Sequence, residues 1–270
     1  MNNVGFIGVG YMGYGIAKNI LTKNNNLFVI ANKNRKPIEK IVSKGAKEVK
    51  TLEEFREKQL NVLVKCVTNT PIAKEIATKL SKILDKTTLI IDITTHNKTG
   101  SIETEKIYRS SNINYVECPV MGGPAQAEEG ILGGIVGATD NNFKLAEPYL
   151  RLFCKNYFHF GSVGMGAKSK LLNNFLTLGN AALINHMTIA AKKFGLDLQK
   201  FFDVAKLGSG NSAALNRIFD ALLKNDLTGF KFTAINSVKD LSYIQDLLKD
   251  FPEAEKIAED NKNYFQKAVD

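Results

Sequence analysis

Val4-Gly5-Phe6-Ile7-Gly8-Val9-Gly10-Tyr11-Met12-Gly13 stands near the start of the chain and decides how the first half is read. The apolar run at 4–9 predicts a short buried strand, and Ile16, Ala17, Ile20 and Leu21 follow at helical spacing. Between them lies G-x-G-x-x-G. Its first glycine allows a tight turn, its second lets the backbone approach a pyrophosphate, and its third lets helix and strand pack closely. The phosphates would rest on the helix N-terminus. Gly8, Gly10, Tyr11, Met12 and Gly13 are therefore cofactor-binding candidates.

A second strand at 27–31 should end at the residue that reads the adenosine ribose. A carboxylate there accepts from a free 2′-hydroxyl and favours NAD. This chain has Asn32-Lys33-Asn34-Arg35 instead. Two cations without a carboxylate suit a 2′-phosphate, which predicts NADP over NAD. The plainer reading is a solvated basic turn.

The alternation continues with a strand at 61–67, Thr70-Pro71 as N-cap and first helical position, a helix at 72–84 and a strand at 88–93. Such repetition predicts a doubly wound parallel sheet of the Rossmann type, whose ligand crevice lies beyond the strand ends. Val67, Thr68, Asn69, Thr94 and Thr95 are thereby crevice candidates, and Asp92 reads as a turn-fixing carboxylate. A strand at 115–120 reaches Pro119-Val120-Met121-Gly122-Gly123-Pro124. Paired glycines after a strand expose backbone N–H groups, an anion nest suited to a carboxylate; a plain loop is the alternative. Strands at 130–136 and 157–160, around a helix at 143–153, are expected to complete the sheet.

Gly161, Gly164 and Gly166 lead into a breaker-free apolar segment, 167–184, that reads as one long helix buried nearly all round. Lys170 shares a helix face with Asn173 and Asn174, whereas Lys168 has only Leu171 and Leu172 at those spacings. An ammonium buried beside two carboxamides suggests a site; a snorkelling lysine with surface asparagines is the bland alternative. Helical signals then run through 171–194, 198–207, 215–223, 234–248 and 253–268. This predicts domains at 1–163 and 164–270, the second all-α. The Gly208-Ser209-Gly210-Asn211-Ser212 loop predicts an N-cap at Asn211 or Ser212.

Composition is that of a soluble globular protein, with 44% hydrophobic and 23% charged residues in 270. No run reaches membrane-spanning length, and a motif that begins almost at once leaves no room for a signal peptide, so a cytoplasmic location is expected. Cys66, Cys118 and Cys154 have no metal spacing and fit a reducing compartment. His96, His159 and His186 show no metal partners at useful spacing, and His159 reads as a strand-end residue. The net charge of +9 is spread along the chain, which favours anionic small molecules over nucleic acid as partners.

With G-x-G-x-x-G, Pro119-Val120-x-Gly122-Gly123 and Gly164-x-Gly166-x-x-x-Lys170-x-x-Asn173-Asn174 in order, and Lys239-Asp240-Leu241 as a fourth motif, the whole chain resembles the β-hydroxyacid dehydrogenases. That family includes 3-hydroxyisobutyrate dehydrogenase, tartronate semialdehyde reductase and the glyoxylate/succinic semialdehyde reductases. The resemblance implies that Lys170 is the catalytic lysine, that Asn174 holds substrate, and that Gly122 and Gly123 grip a substrate carboxylate. It also implies that Val67, Thr68, Thr95 and Lys239 line NADP(H), with Asn32-Lys33 matching the Asn-Arg pair of NADP-preferring members. A ternary complex in an interdomain crevice would follow, with Lys170 as acid in reduction and base in oxidation. A reference ammonium of pKa about 10.4 must be lowered for the base role, and burial acts in that direction.

Phe230 and Phe232 resemble lid residues, though packing is their plainer role. Met121 stands where Ser is common, and Gln126 and Ile131 where Gly and Thr are frequent; a thioether for a hydroxyl makes the pocket more apolar. The chain stops at Asp270, short of the Gly-rich, Asp-containing tail usual in the family. Two rivals stand beside this reading. Some imine reductases also carry Met before the small residues but usually lack the lysine. A non-catalytic nucleotide- or nucleic-acid-binding protein is suggested by the charge. The long apolar helix hints at a homo-oligomer.

Overall fold

The computed structural model describes residues 2–23, 25–32, 34–226 and 232–270. Strand β1 (Asn3–Ile7) passes through the glycine turn into α1 (Tyr11–Thr22), followed by β2 (Asn26–Ile30), α2 (Lys36–Val42), β3 (Lys47–Val49), β4 (Val62–Lys65), α3 (Thr70–Leu80), β5 (Leu89–Asp92), α4 (Gly100–Arg109) and β6 (Asn114–Glu117). The six strands form one sheet in the order β3-β2-β1-β4-β5-β6, every pair parallel. All residues of β4 and β5 are buried, as expected for strands covered on both faces. Alternate side chains supply two cores: Val62 and Val64 join one, Leu63 the other. The strand order reverses between β1 and β4, so the turns after these two strands meet at one point of the carboxyl edge.

The remaining strands do not complete that sheet. Val120–Met121 (β7), Leu132–Val136 (β8) and Cys154–His159 (β9) make a separate three-stranded sheet, with β7 antiparallel and β9 parallel to β8. The single strand expected at 115–120 is thus two pieces. Pro119 has no N–H to donate, so the β6 ladder ends before it and pairing resumes with β8. Helices α5 (Pro124–Glu129) and α6 (Asp140–Leu150) connect these strands. A backbone bridge between Glu117 and Gly137 links the two sheets.

Beyond them the described residues hold only helices: α7 (Met165–Lys193), α8 (Leu198–Leu207), α9 (Ala213–Leu223), α10 (Ala234–Leu247) and α11 (Pro252–Gln266). Packing divides the chain into two compact units, Met1–Lys170 and Leu171–Asp270. In the second unit, Leu171 and Leu178 pack with Leu241, Ile244 and Ala258, while Phe202 stacks on Phe219 at 3.9 Å between centroids. Ser212 is the α9 cap, its Oγ accepting from Leu215 N at 3.1 Å. Helix α7 is not buried all round. Leu172, Leu176 and Leu183 are 50%, 65% and 68% exposed and recur on one face. Among the described residues no helix is long and apolar enough to cross a membrane.

Candidate active site

The three glycines of the first turn differ in what surrounds them. Gly8 has φ +98°, and a Cβ there would lie 2.0 Å from the Cys66 carbonyl oxygen, so the position demands glycine. A Cβ on Gly13 would lie 2.0 Å from the Gly8 carbonyl oxygen, which is the close packing of helix on strand. Around Gly10 a Cβ would meet nothing within 4 Å. The backbone there is open to a bulky group, and Gly10 caps α1 without a side-chain acceptor for its first amides. This arrangement fits a pyrophosphate on the helix start. Tyr11 is 90% exposed beside it, and Met12 packs against the core.

The neighbouring turns are cross-tied. Val67 N donates to Thr94 Oγ1 at 3.3 Å, and Asn97 N donates to Thr70 Oγ1 at 3.1 Å. Asn69, not Thr70, caps α3, its Oδ1 accepting from Ile72 N at 3.0 Å. Thr70 is instead drawn to His96, with Oγ1 and Nδ1 3.2 Å apart. Thr68 is exposed and Thr95 half-buried at the same edge.

Beneath these turns Asp92 does more than fix a turn. Its Oδ1 accepts from Thr94 N at 3.1 Å, and its Oδ2 lies 2.9 Å from Lys65 Nζ, 2.9 Å from His96 Nε2 and 3.0 Å from Tyr115 Oη. Burial acts to raise the Asp92 carboxyl, but Lys65 and His96 outweigh it and hold it well below the usual range. Lys65 itself is lowered by burial, against the pull of Asp92. Burial and the Asp92 charge push the Cys66 thiol up to about 12, so it is no nucleophile. Among the described residues no His, Cys, Asp and Glu cluster could hold a metal.

Lys170, half-buried on α7, donates from Nζ to the Val120 carbonyl at 2.8 Å and lies 3.5 Å from Met121 Sδ. Gly122 turns the chain at φ +116° just after. The amide of Gly123, expected to grip a carboxylate, donates to Gln126 Oε1 at 2.9 Å. In the second unit Asn174, 5% exposed, donates from Nδ2 to Asp240 Oδ2 at 2.7 Å. Lys239 Nζ lies 2.9 Å from Asp240 Oδ1. Lys170 and Asn174 are one turn apart on the same helix, so they share its face.

In the basic stretch after β2, Arg35 makes a two-pronged pair with Glu48, at 3.1 Å for each nitrogen–oxygen contact. Asn32 and Asn34 are exposed, and Lys33 lies outside the described residues. Phe230 also lies outside them, while Phe232 packs against the α7–α10–α11 core. His159 ends β9, its Nε2 donating to the Ala138 carbonyl at 2.9 Å, and stacks on Phe143. His186 lies against Tyr264.

Three participants have no role assigned from the sequence. Asp240, which orients Asn174, follows Lys239 in the quoted Lys-Asp-Leu. Glu117 receives two amides at the start of α7. Lys65 is a cation inside an apolar strand, an anomaly that signals a buried partner.

The glycine turn lies at the switch point of a parallel sheet, as in nicotinamide-dinucleotide-binding Rossmann domains, and a helical unit follows. Residues 3–161 match the NAD binding domain of 6-phosphogluconate dehydrogenase, and residues 164–269 match the family described as NAD-binding of NADP-dependent 3-hydroxyisobutyrate dehydrogenase. The chain belongs to the β-hydroxyacid dehydrogenase family. It is 30% identical over 210 residues to a probable mitochondrial 3-hydroxyisobutyrate dehydrogenase of Dictyostelium discoideum, an alignment covering 76% of this chain and 64% of that protein. It is 26% identical over 215 residues to glyoxylate/succinic semialdehyde reductase 1 of Arabidopsis thaliana, covering 76% and 72%. In fold it is similar to Mycobacterium tuberculosis 3-hydroxyisobutyrate dehydrogenase, solved with L-serine, with TM-score 0.89, 21% identity and 100% and 94% of the two chains covered.

Proposed function

We propose that the protein transfers a hydride between NADP(H) and a small β-hydroxyacid or semialdehyde, of the glyoxylate, succinic semialdehyde or 3-hydroxyisobutyrate class. The observation that carries this is the Lys170 ammonium, held at 2.8 Å on the Val120 carbonyl beside the Met121-Gly122-Gly123 turn. Bound NADPH would supply the hydride. Lys170 then protonates the carbonyl oxygen in reduction and takes the hydroxyl proton in oxidation. Asn174, its Nδ2 tied to Asp240, offers its carboxamide oxygen to the hydroxyl or to the ammonium. The Met121-Gly122-Gly123 turn holds the substrate carboxylate and sets the carbonyl for reaction.

Gly8, Gly10 and Gly13 hold the coenzyme pyrophosphate, and Val67, Thr68, Thr95 and Lys239 line the rest of it. NADP is favoured by the absence of a carboxylate in Asn32-Lys33-Asn34-Arg35. The three free cysteines favour a reducing, cytoplasmic setting, and the exposed leucine face of α7 favours a homo-oligomer. We assign 1–163 to coenzyme binding and 164–270 to substrate binding and assembly. A panel of small aldehydes and hydroxyacids, each followed by NADPH and NADH absorbance, tests this. Turnover of a carboxylate-bearing aldehyde with NADPH is expected; turnover of cyclic imines alone would contradict it.

A further inference from the structure

We propose that Glu117 is a positioning residue for Lys170, seating the first turns of α7 so that the ammonium arrives at the Val120 carbonyl and the glycine turn. The inference rests on the proton-carrier role of Lys170 given above. Glu117 ends β6 and is fully buried. Its Oε1 accepts from Gly164 N at 2.6 Å and from Gly166 N at 2.8 Å. Burial raises the Glu117 carboxyl, against the pull of Ser101 and of the Gly164 and Gly166 amides, and the same oxygen accepts both amides.

The surroundings are cut to this side chain. A Cβ on Gly137 would lie 2.1 Å from Glu117 Oε1, and one on Gly166 would lie 3.0 Å from it. Both neighbours are glycine, and the carboxylate fills the room they leave. Its backbone is bonded twice to one residue, Glu117 N donating to Gly137 O at 3.1 Å and Gly137 N to Glu117 O at 3.0 Å. The anchor itself is therefore rigid.

The same short run touches α7 twice. Three residues after Glu117, the Val120 carbonyl receives Lys170 Nζ. One short segment thus holds both the helix start, through Glu117, and the lysine, through the Val120 carbonyl. The entry to α7 has little preference of its own, passing through Gly161 at φ +98° and Gly164 at φ +100°. Glu117 supplies the setting that these glycines do not.

The test compares reach with charge. Glu117→Gln keeps the reach and an acceptor oxygen, whereas Glu117→Asp keeps the charge and withdraws it by one methylene. Thermal melts restrict the comparison to folded proteins, NADPH affinity is read by fluorescence titration, and kcat is followed across pH with succinic semialdehyde. For Glu117→Asp, kcat should fall by about tenfold or more and its pH profile should move, with NADPH affinity within about twofold; Glu117→Gln should restore kcat to within about threefold. Unchanged kcat in Glu117→Asp, or equal impairment in both variants, overturns the proposal. Should Glu117→Asp not fold, a loss of more than about tenfold in Glu117→Gln overturns it alone. Lys170→Ala run in parallel separates the two readings. If it is inactive while Glu117→Asp is unimpaired, only the Glu117 inference fails; if it turns over normally, the lysine reading fails.

Discussion

The Lys65 ammonium lies 2.9 Å from the Asp92 carboxylate with both side chains fully buried, directly under the turns that follow β4 and β5. Lys65 also donates to the Ala73 carbonyl at 3.1 Å, which ties α3 to the sheet. Removing one partner of a buried pair strands the other charge, at a cost of about 3–5 kcal/mol. Lys65→Ala should lose stability on that scale in urea unfolding.

The pH dependence follows from the same group. Asp92 is held below the usual carboxylate range in the fold. Its stabilisation is therefore fully present above its unfolded pKa of about 3.9 and is lost as pH falls towards the lower folded value. Melting temperature should decline below about pH 4, and Asp92→Asn should decline less steeply there. A parent protein whose stability is flat from pH 5 to pH 2 would remove this account of the network.

Coenzyme choice is tested at the end of β2. Asn32→Asp places a carboxylate where a 2′-phosphate would approach and where a free ribose hydroxyl could donate. The NADPH-to-NADH ratio of kcat/KM should drop by about fivefold or more, since two like charges about 4 Å apart repel by about 1 kcal/mol in water and about 4 kcal/mol near a protein surface. An unaltered ratio would mean that another part of the chain reads the ribose.

Gln126 bears on substrate grip because its Oε1 occupies the Gly123 amide. Gln126→Ala frees that donor. One net hydrogen bond of about 1 kcal/mol corresponds to about fivefold, so KM for a carboxylate-bearing aldehyde should fall by that order. Steady-state kinetics on glyoxylate check it; a raised KM would show that Gln126 itself contributes to binding.

Much of the fold is legible in the sequence alone. The glycine turn is legible because Gly8 and Gly13 each leave no room for a side chain, while the space at Gly10 stays open. The parallel sheet is legible because β4 and β5 are apolar throughout. Other features depend on contacts between segments far apart in the chain. Pro119 was visible, but its consequence, a second sheet, depends on β8 offering new partners. The pairing of Arg35 is not legible, because Glu48 lies 13 residues away on another strand. The Gly123 amide read as available because a glutamine three residues on is not a turn signal. Asp240 and Glu117 act across 66 and 47 or more residues, where no local spacing points.

Lys170 remains the residue on which the chemistry rests. The most direct measurement is single-turnover reduction of succinic semialdehyde by Lys170→Ala, with NADPH binding measured on the same preparation. The account predicts NADPH affinity within about threefold of the parent and a reduction rate lower by about 10²- to 10⁴-fold. A variant that binds NADPH and reduces the aldehyde at the parent's rate would contradict it.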